Sequence, residues 1–327
     1  MIGFIAKRLV NYVILAVIAT GLGYLLASAT LHPISKFLGR NPPVSQDAID
    51  AALDKMGVNP EVPVLVRLKD WAVNLVTHGS LGTSTGGRPV TEEIAARAST
   101  SLRLLIIGTL LGAIIGVIVG VMGAIRQYKA FDRTSTYASF VITATPTFVI
   151  AVILMILATN FNKLVGHQVI QFTGEYTAGL SGGFWTHFGD RAVHLLLPTI
   201  VLVLTSVATY SRYQRSAMLD VLSADYIRTA RSKGRTRGSA MIRHGVRVAL
   251  IPMSTFFAYS FGLMLTGASV TELVFSWHGM GEYLLSSIRN NDINAATGTV
   301  LFTAVLVLIA GTLADVVYAA LDPRVRV

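Results

Sequence analysis

The chain has 327 residues, 53% of them apolar and only 13% charged, with a net charge of +10. Soluble domains carry about 25% charged residues, so this composition, with a mean hydropathy of +0.61, excludes an ordinary soluble enzyme and points to a membrane protein with several spans. Cysteine is missing, which excludes disulfides, cysteine-bound zinc and thiol catalysis.

A helix needs about 20 apolar residues to cross the hydrocarbon, and six windows qualify. The first, 9–31, contains no charged residue. Lys7-Arg8 before it and Ala27-Ser28-Ala29 near its end fit a secretory leader. The stretch is longer than a leader's apolar region of about 7–15 residues, so it is expected to stay as a span. Residues 32–101 follow, with Pro33, Pro42, Pro43, Pro60, Pro63 and Pro89, and with the amphipathic run VPVLVRLKDWAVNLVTHG at 62–79. They read as an ordered cap holding one short helix.

Within this cap, Gly82-Thr83-Ser84-Thr85-Gly86 matches the G-x-S-x-G pattern. That pattern presents a nucleophilic serine only between a strand and a helix. A segment rich in turn formers supplies neither, so a plain turn is expected, with Ser84 as the nucleophile of a rival hydrolase reading.

The second span, 104–125, carries Gly108, Gly112, Gly116 and Gly120, one every four residues. Such a ridge lets another helix approach closely, within the chain or in a second subunit. The third lies within 134–162, centred on 137–159, and has Thr143, Thr145 and Thr147 around Pro146. A glycine-rich loop at 160–194 places Trp185 near the headgroups. The fourth, 195–210, is short, with His194 at its edge and Thr205, Ser206 and Thr209 inside. The fifth is 248–271, with Ser254, Thr255, Tyr259 and Ser260; the sixth is 295–318, with Asp315 late in it.

Mid-span charges, the usual mark of proton or ion routes, are missing from these windows, which argues against a stand-alone proton-coupled carrier. Uncharged polar groups remain. Thr143, Thr145, Pro146, Thr205, Thr209, Ser254 and Tyr259 either line a passage for a polar solute or hydrogen-bond between helices. No GxxxxGK[ST] phosphate loop and no HExxH occurs. The chain is therefore not expected to bind ATP through a phosphate loop or zinc through that helical motif.

Lys and Arg are distributed unevenly among the connections. Lys7 and Arg8, the group Arg126, Lys129 and Arg133, nine residues between Arg212 and Arg247, and Arg324 with Arg326 fall on one side. The short loops on the other side hold Lys163, Arg191 and Arg289. By the positive-inside rule both termini face the cytoplasm and the cap faces outside.

The basic segment 212–247 contains ADYIRTARSKG at 224–234. Ser223 suits an N-cap and Asp225 the positive end of a helix dipole. Gly234 suits the left-handed residue that ends a helix over 224–233. Tyr226, Ala230 and Lys233 fall on one face. A capped helix between two spans reads either as a knob that docks into a partner's groove or as a basic loop that fixes topology and rests on anionic lipid.

These residues resemble the cytoplasmic signature loop of ABC importer permeases, with Ala230, Gly234 and Leu250-Ile251-Pro252 at matching places. Thr229-Ala230-Arg231 stands where the general pattern has Glu-Ala-Ala, as in the dipeptide and oligopeptide branch. MIGFIAKRL, HGSLGTS, LTGASVTELVFSWHGMGEYLLSSI and LADVVYAALDPRVRV are similar to other segments of the same branch, so the resemblance covers most of the chain. His278 departs from it, since proline usually follows that tryptophan. HPISKFLGRNPP after Leu31 departs too.

The resemblance implies an all-α polytopic membrane protein with six transmembrane helices in the type I importer arrangement. Its parts would be an N-terminal tip and first span (1–31), an outer cap (32–101), a core of five spans (102–320) and a cytoplasmic tail (321–327). It implies a multi-pass subunit of a prokaryotic inner membrane, importing peptides, with nickel or glutathione as alternatives. The implied partners are a homologous second permease, two ATPase subunits or one fused double ATPase, an extracytoplasmic binding protein and the bilayer, with no nucleic acid. ATP and Mg would be used by the ATPases alone, and this chain would bind no cofactor or metal and carry no catalytic residue. Tyr226, Arg228, Thr229, Ala230, Arg231, Lys233 and Gly234 would form the coupling helix seated on an ATPase.

Overall fold

The computed structural model describes residues 2–39 and 41–321, with side chains described except at 2–5, 237, 258–267 and 320–321. Its helices are α1 (Ile2–Thr30), α2 (Gln46–Met56), α3 (Val64–His78), α4 (Val90–Ile125), α5 (Ala130–Ala144), α6 (Thr147–Val165) and α7 (Phe184–Leu222). They continue as α8 (Asp225–Ser232), α9 (Arg237–Ala240), a π-helical turn (Met241–Gly245), α10 (Val246–Val274), α11 (Met280–Arg289) and α12 (Ile293–Leu321). A 3₁₀ turn covers Pro33–Lys36. Among the described residues there is no strand, only an isolated bridge between Thr83 and Pro89.

Five helices among the described residues are long and apolar enough to cross a membrane: α1 from Ala6, α4, α6, α7 and α12. Their large apolar side chains stay exposed, including Val13, Val17, Ile114, Ile118, Ile156 and Leu313. Such surface is unfavourable in water and suits hydrocarbon. The protein is an all-α polytopic membrane protein. The central side chains of α10 lie outside the described residues, so the structure does not add α10 to these five.

The third predicted span is two helices. α5 stops at Ala144, Thr145 is extended (φ −89°, ψ 125°), and α6 restarts after Pro146. Proline has no N–H to donate and drives the preceding residue out of the helical region, so the apolar run cannot stay one helix. The fourth predicted span errs the other way. α7 has 39 residues and runs through Pro198, because polar turns on both sides of 195–210 continue its hydrogen-bond ladder.

The described residues divide into two compact units. One draws on 2–8, Arg103–Trp277 and 309–321, the other on 9–39, 41–102 and His278–Leu308. In the first, α7 packs against α5, α6 and α10. Ile150, Ala151 and Ala158 of α6 meet Leu197 and Val201 of α7 in one buried cluster. Arg8 and Asp315 form an ion pair at 3.7 Å.

The second unit holds the cap. The expectation of one short helix there is corrected: α2 joins α3, since Ile49 and Leu53, four residues apart, are both buried. Residues 90–101, expected to be loop, are the first turns of α4. Trp71 donates its indole N–H to the Leu81 carbonyl at 3.1 Å and tilts against Tyr24 with ring centroids 5.9 Å apart. Buried Asp292 accepts the Thr85 N–H at 2.5 Å and its hydroxyl at 3.1 Å on one oxygen, and the Ala295 N–H at 2.9 Å on the other. The segment 278–308, expected in the permease core, thus packs with the cap.

Candidate functional site

The basic segment leaves α7 at Leu222 and re-enters a long helix at Val246. Ser223 does not cap the helix between them. It ends α7 in a right-handed conformation, and its hydroxyl donates back to the Asp220 carbonyl at 3.1 Å. Ala224 takes the extended cap position, and its carbonyl accepts the N–H groups of Ile227 and Arg228 at 3.0 and 3.2 Å. The hydroxyl of Ser223 is spent one residue too early, which corrects the expected start by one residue.

The other end of α8 closes in a Schellman motif. Gly234 lies at φ +86°. Its N–H donates to Arg231 at 3.0 Å, and the Arg235 N–H donates to Ala230 at 3.3 Å. Residues with a Cβ are strained at that φ by roughly 1–2 kcal/mol, which is why glycine stands here.

An eight-residue helix is not stable alone in water. Ile227 holds it in place. This side chain is 1% exposed and packs among Val121 and Ala124 of α4, Met218 and Val221 of α7, and Ala240, Met241 and Ala249. Burying an isoleucine in this way contributes roughly 1.5–3 kcal/mol. Ala230, one turn on, is half-buried on the same cluster.

The structure therefore divides the expected face. Tyr226 and Lys233 are exposed, whereas Ala230 lies at the margin of the buried side. Asp225, Tyr226, Arg228, Thr229, Arg231, Ser232, Lys233 and Gly234 are all exposed. The hydroxyls of Thr229 and Ser232 turn back to the carbonyls of Asp225 and Arg228, at 2.9 and 3.1 Å. What α8 presents outward is a tyrosine ring among cationic side chains. Ile227 was missed in the sequence, although it is the one large aliphatic residue between Leu222 and Met241.

The four ridge glycines of α4 face α7. A Cβ on Gly108 would stand 2.9 Å from the Leu202 Cβ, one on Gly116 2.6 Å from the Tyr210 Cβ, and one on Gly120 2.5 Å from the Ser211 carbonyl. One on Gly112 would collide with the Ser206 Cβ. Leu202, Ser206 and Tyr210 repeat every four residues as the glycines do, so the two backbones approach along matching stripes.

The hydroxyls expected along a passage are bonded within their own helices. Thr143 donates to Ser139, Thr145 to Val141, Thr205 to Val201 and Leu202, Thr209 to Thr205, and Ser254 to Ile251, over 2.7–3.2 Å. None of these bonds joins two helices. The side chain of Tyr259 lies outside the described residues. Pro146 is exposed at the break between α5 and α6.

Ser84 is buried, and its Oγ accepts the Arg88 N–H at 3.2 Å. No strand precedes it and no histidine is bonded to it among the described residues. A Ser84→Ala change is expected to leave the import activity implied by the resemblance unchanged within error. A hydrolase built on Ser84 would instead lose all activity with its assembly intact.

A short helix with this glycine cap, in the connection between two long helices, is the arrangement expected of importer permeases. The family described as "Binding-protein-dependent transport system inner membrane component" matches residues 108–327. The chain belongs to this family. Its match takes in the glycine ridge and α5 to α12. Over all 327 residues the permease is 45% identical to the oligopeptide transport system permease protein OppB of Mycobacterium tuberculosis, covering 100% of each chain. It is 34% identical to the oligopeptide transport system permease protein AppB of Bacillus subtilis over 289 residues, 88% of this chain and 87% of that one. With the dipeptide transport system permease protein DppB of Escherichia coli the identity is 33% over 264 residues, 77% of this chain and 78% of that one.

The departure at His278 leaves the turn before it closed. Ser276 is left-handed at φ 52°, and the Trp277 N–H donates to the Glu272 carbonyl at 2.7 Å. His278 itself pairs with Glu282 at 2.8 Å. The tail motif Asp322-Pro323-Arg324 lies outside the described residues.

Proposed function

We propose that this permease is one of two related membrane subunits of an ATP-driven importer of peptides, and that α8 is the element that receives the ATPase stroke. The observation that carries the peptide assignment is the 45% identity over the full length to an oligopeptide transport permease. Nickel and glutathione importers use similar permeases and are the alternative substrates. Two ATPase subunits, or one fused double ATPase, bind and hydrolyse ATP with Mg. An extracytoplasmic binding protein delivers the substrate, and this chain contributes no catalytic residue. It sits in the inner membrane of a prokaryote with both termini in the cytoplasm.

In this reading Tyr226, Arg228, Thr229, Arg231 and Lys233 meet the ATPase groove, Ala230 lets α8 lie close on its own subunit, and Gly234 ends the helix. Ile227 ties the helix to α4 and α7, so a push on α8 is passed to both. Thr143, Thr145, Thr205, Thr209 and Ser254 line the path. Each hydroxyl donates to a backbone carbonyl three or four residues before it and keeps lone pairs that accept a peptide N–H. The chemistry suits a substrate read by its backbone.

Affinity purification from native membranes is expected to bring down a second multi-span permease, an ATPase carrying a phosphate-binding loop, and a binding protein. Reconstituted in vesicles, that set is expected to accumulate a radiolabelled tryptic-peptide mixture only with ATP inside the compartment that α8 faces. Accumulation by this chain alone, without any ATPase, would sink the proposal in favour of a stand-alone carrier.

A further inference from the structure

Near the C-terminal end of α7, Arg215 meets Asp132 in the first turn of α5. The guanidinium makes two bonds to the carboxylate, Nε to Oδ1 at 2.5 Å and Nη2 to Oδ2 at 2.8 Å. Asp132 is only 2% exposed. Its Oδ2 also accepts the Tyr128 N–H at 2.8 Å, in the turn between α4 and α5 where Tyr128 is left-handed at φ 63°. Gly123 of α4 leaves room for the pair. A Cβ there would stand 3.2 Å from Asp132 Oδ1 and 3.6 Å from Arg215 Cδ. The Arg215 guanidinium holds the Asp132 carboxyl below the usual carboxylate range.

Stability alone does not account for such a pair, because well-packed apolar residues hold helices together as well as a buried ion pair does. A bidentate guanidinium–carboxylate contact adds direction: it fixes the angle and register of the two groups. Here it fixes the start of α5 to α7 close to where α8 hangs. Met218 and Val221, on the same end of α7, pack around Ile227 of α8. The far end of α5 is not continuous with α6, because Thr145 is extended and Pro146 breaks the hydrogen-bond ladder. α5 is thus clamped at one end and interrupted at the other.

We propose that the Arg215–Asp132 pair is the joint through which α5 follows α7 and α8 during transport, with Thr145–Pro146 as the bend between α5 and α6. The inference rests on α8 being the helix that the ATPase moves. Both are positioning residues, and neither is assigned a contact with substrate. Asn at 132 keeps the shape and loses the charge, so it weakens the clamp without emptying the site.

The test uses the complete importer in proteoliposomes, with its binding protein and a radiolabelled tryptic-peptide mixture. Asp132→Asn and Arg215→Gln are each expected to lower peptide imported per ATP hydrolysed about tenfold, within the range of coupling between linked sites, while ATP is still hydrolysed. An unchanged ratio in both, whatever the change in melting temperature, overturns the proposal.

A second measurement needs no disruptive variant. The chain has no cysteine, so paired spin labels can be placed on it at chosen sites. Labels at Thr134 of α5 and Tyr213 of α7 are expected to keep their distance between the nucleotide-free and ATP-bound states. Labels at Thr134 and Leu157 of α6 are expected to change theirs. A change in the first pair as large as in the second overturns the joint. Should Gly234→Pro leave import intact, the reading of α8 fails on its own; if Gly234→Pro uncouples and Asp132→Asn does not, only the joint fails.

Discussion

Gly234→Pro is expected to abolish peptide import, by more than about tenfold, while the subunit still inserts in the membrane. Proline is locked near φ −65°, and the site requires +86°. It also lacks the N–H that donates to Arg231. α8 then loses the motif that ends it and holds Lys233 and Arg235 in place. Gly234→Ala is the graded control. A Cβ there meets nothing within 4 Å, so the only cost is the left-handed backbone, roughly 1–2 kcal/mol, and import is expected to fall only in part. Import and ATP hydrolysis are measured together. Normal import by the proline variant would remove α8 from the coupling path.

Ala230→Trp, which the small residue first suggests as a probe of the docking face, tests something else. Ala230 is half-buried on the cluster around Ile227, so a tryptophan there would lift α8 off its own subunit. Tyr226→Ala and Arg231→Ala change only exposed side chains and are the cleaner probes of the proposed ATPase contact.

Gly112→Leu and Gly116→Leu are expected to have the largest effect on folding. Neither position has room for a Cβ: Ser206 blocks one, and the Tyr210 Cβ would stand 2.6 Å away at the other. Overpacking a core costs about 1–3 kcal/mol where side chains can shift. Here the obstacles are Cβ and backbone atoms, so α4 and α7 must separate along the whole ridge, and the cost lies at the upper end of that range or beyond. Thermal melting of detergent-solubilised subunit is expected to show little folded protein for either variant. Gly21→Leu on α1, where a Cβ meets nothing within 4 Å, is expected to melt like the parent. Equal melting of all three would show that the two helices do not pack through this ridge.

Much of this was legible from residue spacing. The four-residue glycine period announces a close helix contact because every fourth residue shares a helix face. The period does not say which helix answers it, and α7 begins 76 residues after Gly108. Gly234 was legible because few L-residues accept its conformation. Ser223 was misread because a serine before an acidic residue suits a cap, while the preceding helix claims it first. Pro146 was visible inside an apolar run, yet hydropathy counts it as one residue among many and hides the break. Hydroxyls in the spans were legible as polar, but not as already bonded to their own helices.

Composition and the order of apolar windows were enough to establish a polytopic helical membrane protein, and local chemistry was enough to place a helix ending at Gly234. Both depend on residues near one another in the chain: hydrocarbon length, a left-handed glycine, a run of basic side chains. Tertiary structure alone decided that Ile227 anchors that helix, that residues 278–308 pack with the cap, and that Asp132 meets Arg215 across 83 positions of sequence. Those contacts form only when distant segments fold together, and neither hydropathy nor spacing carries a signal for a partner that far along the chain.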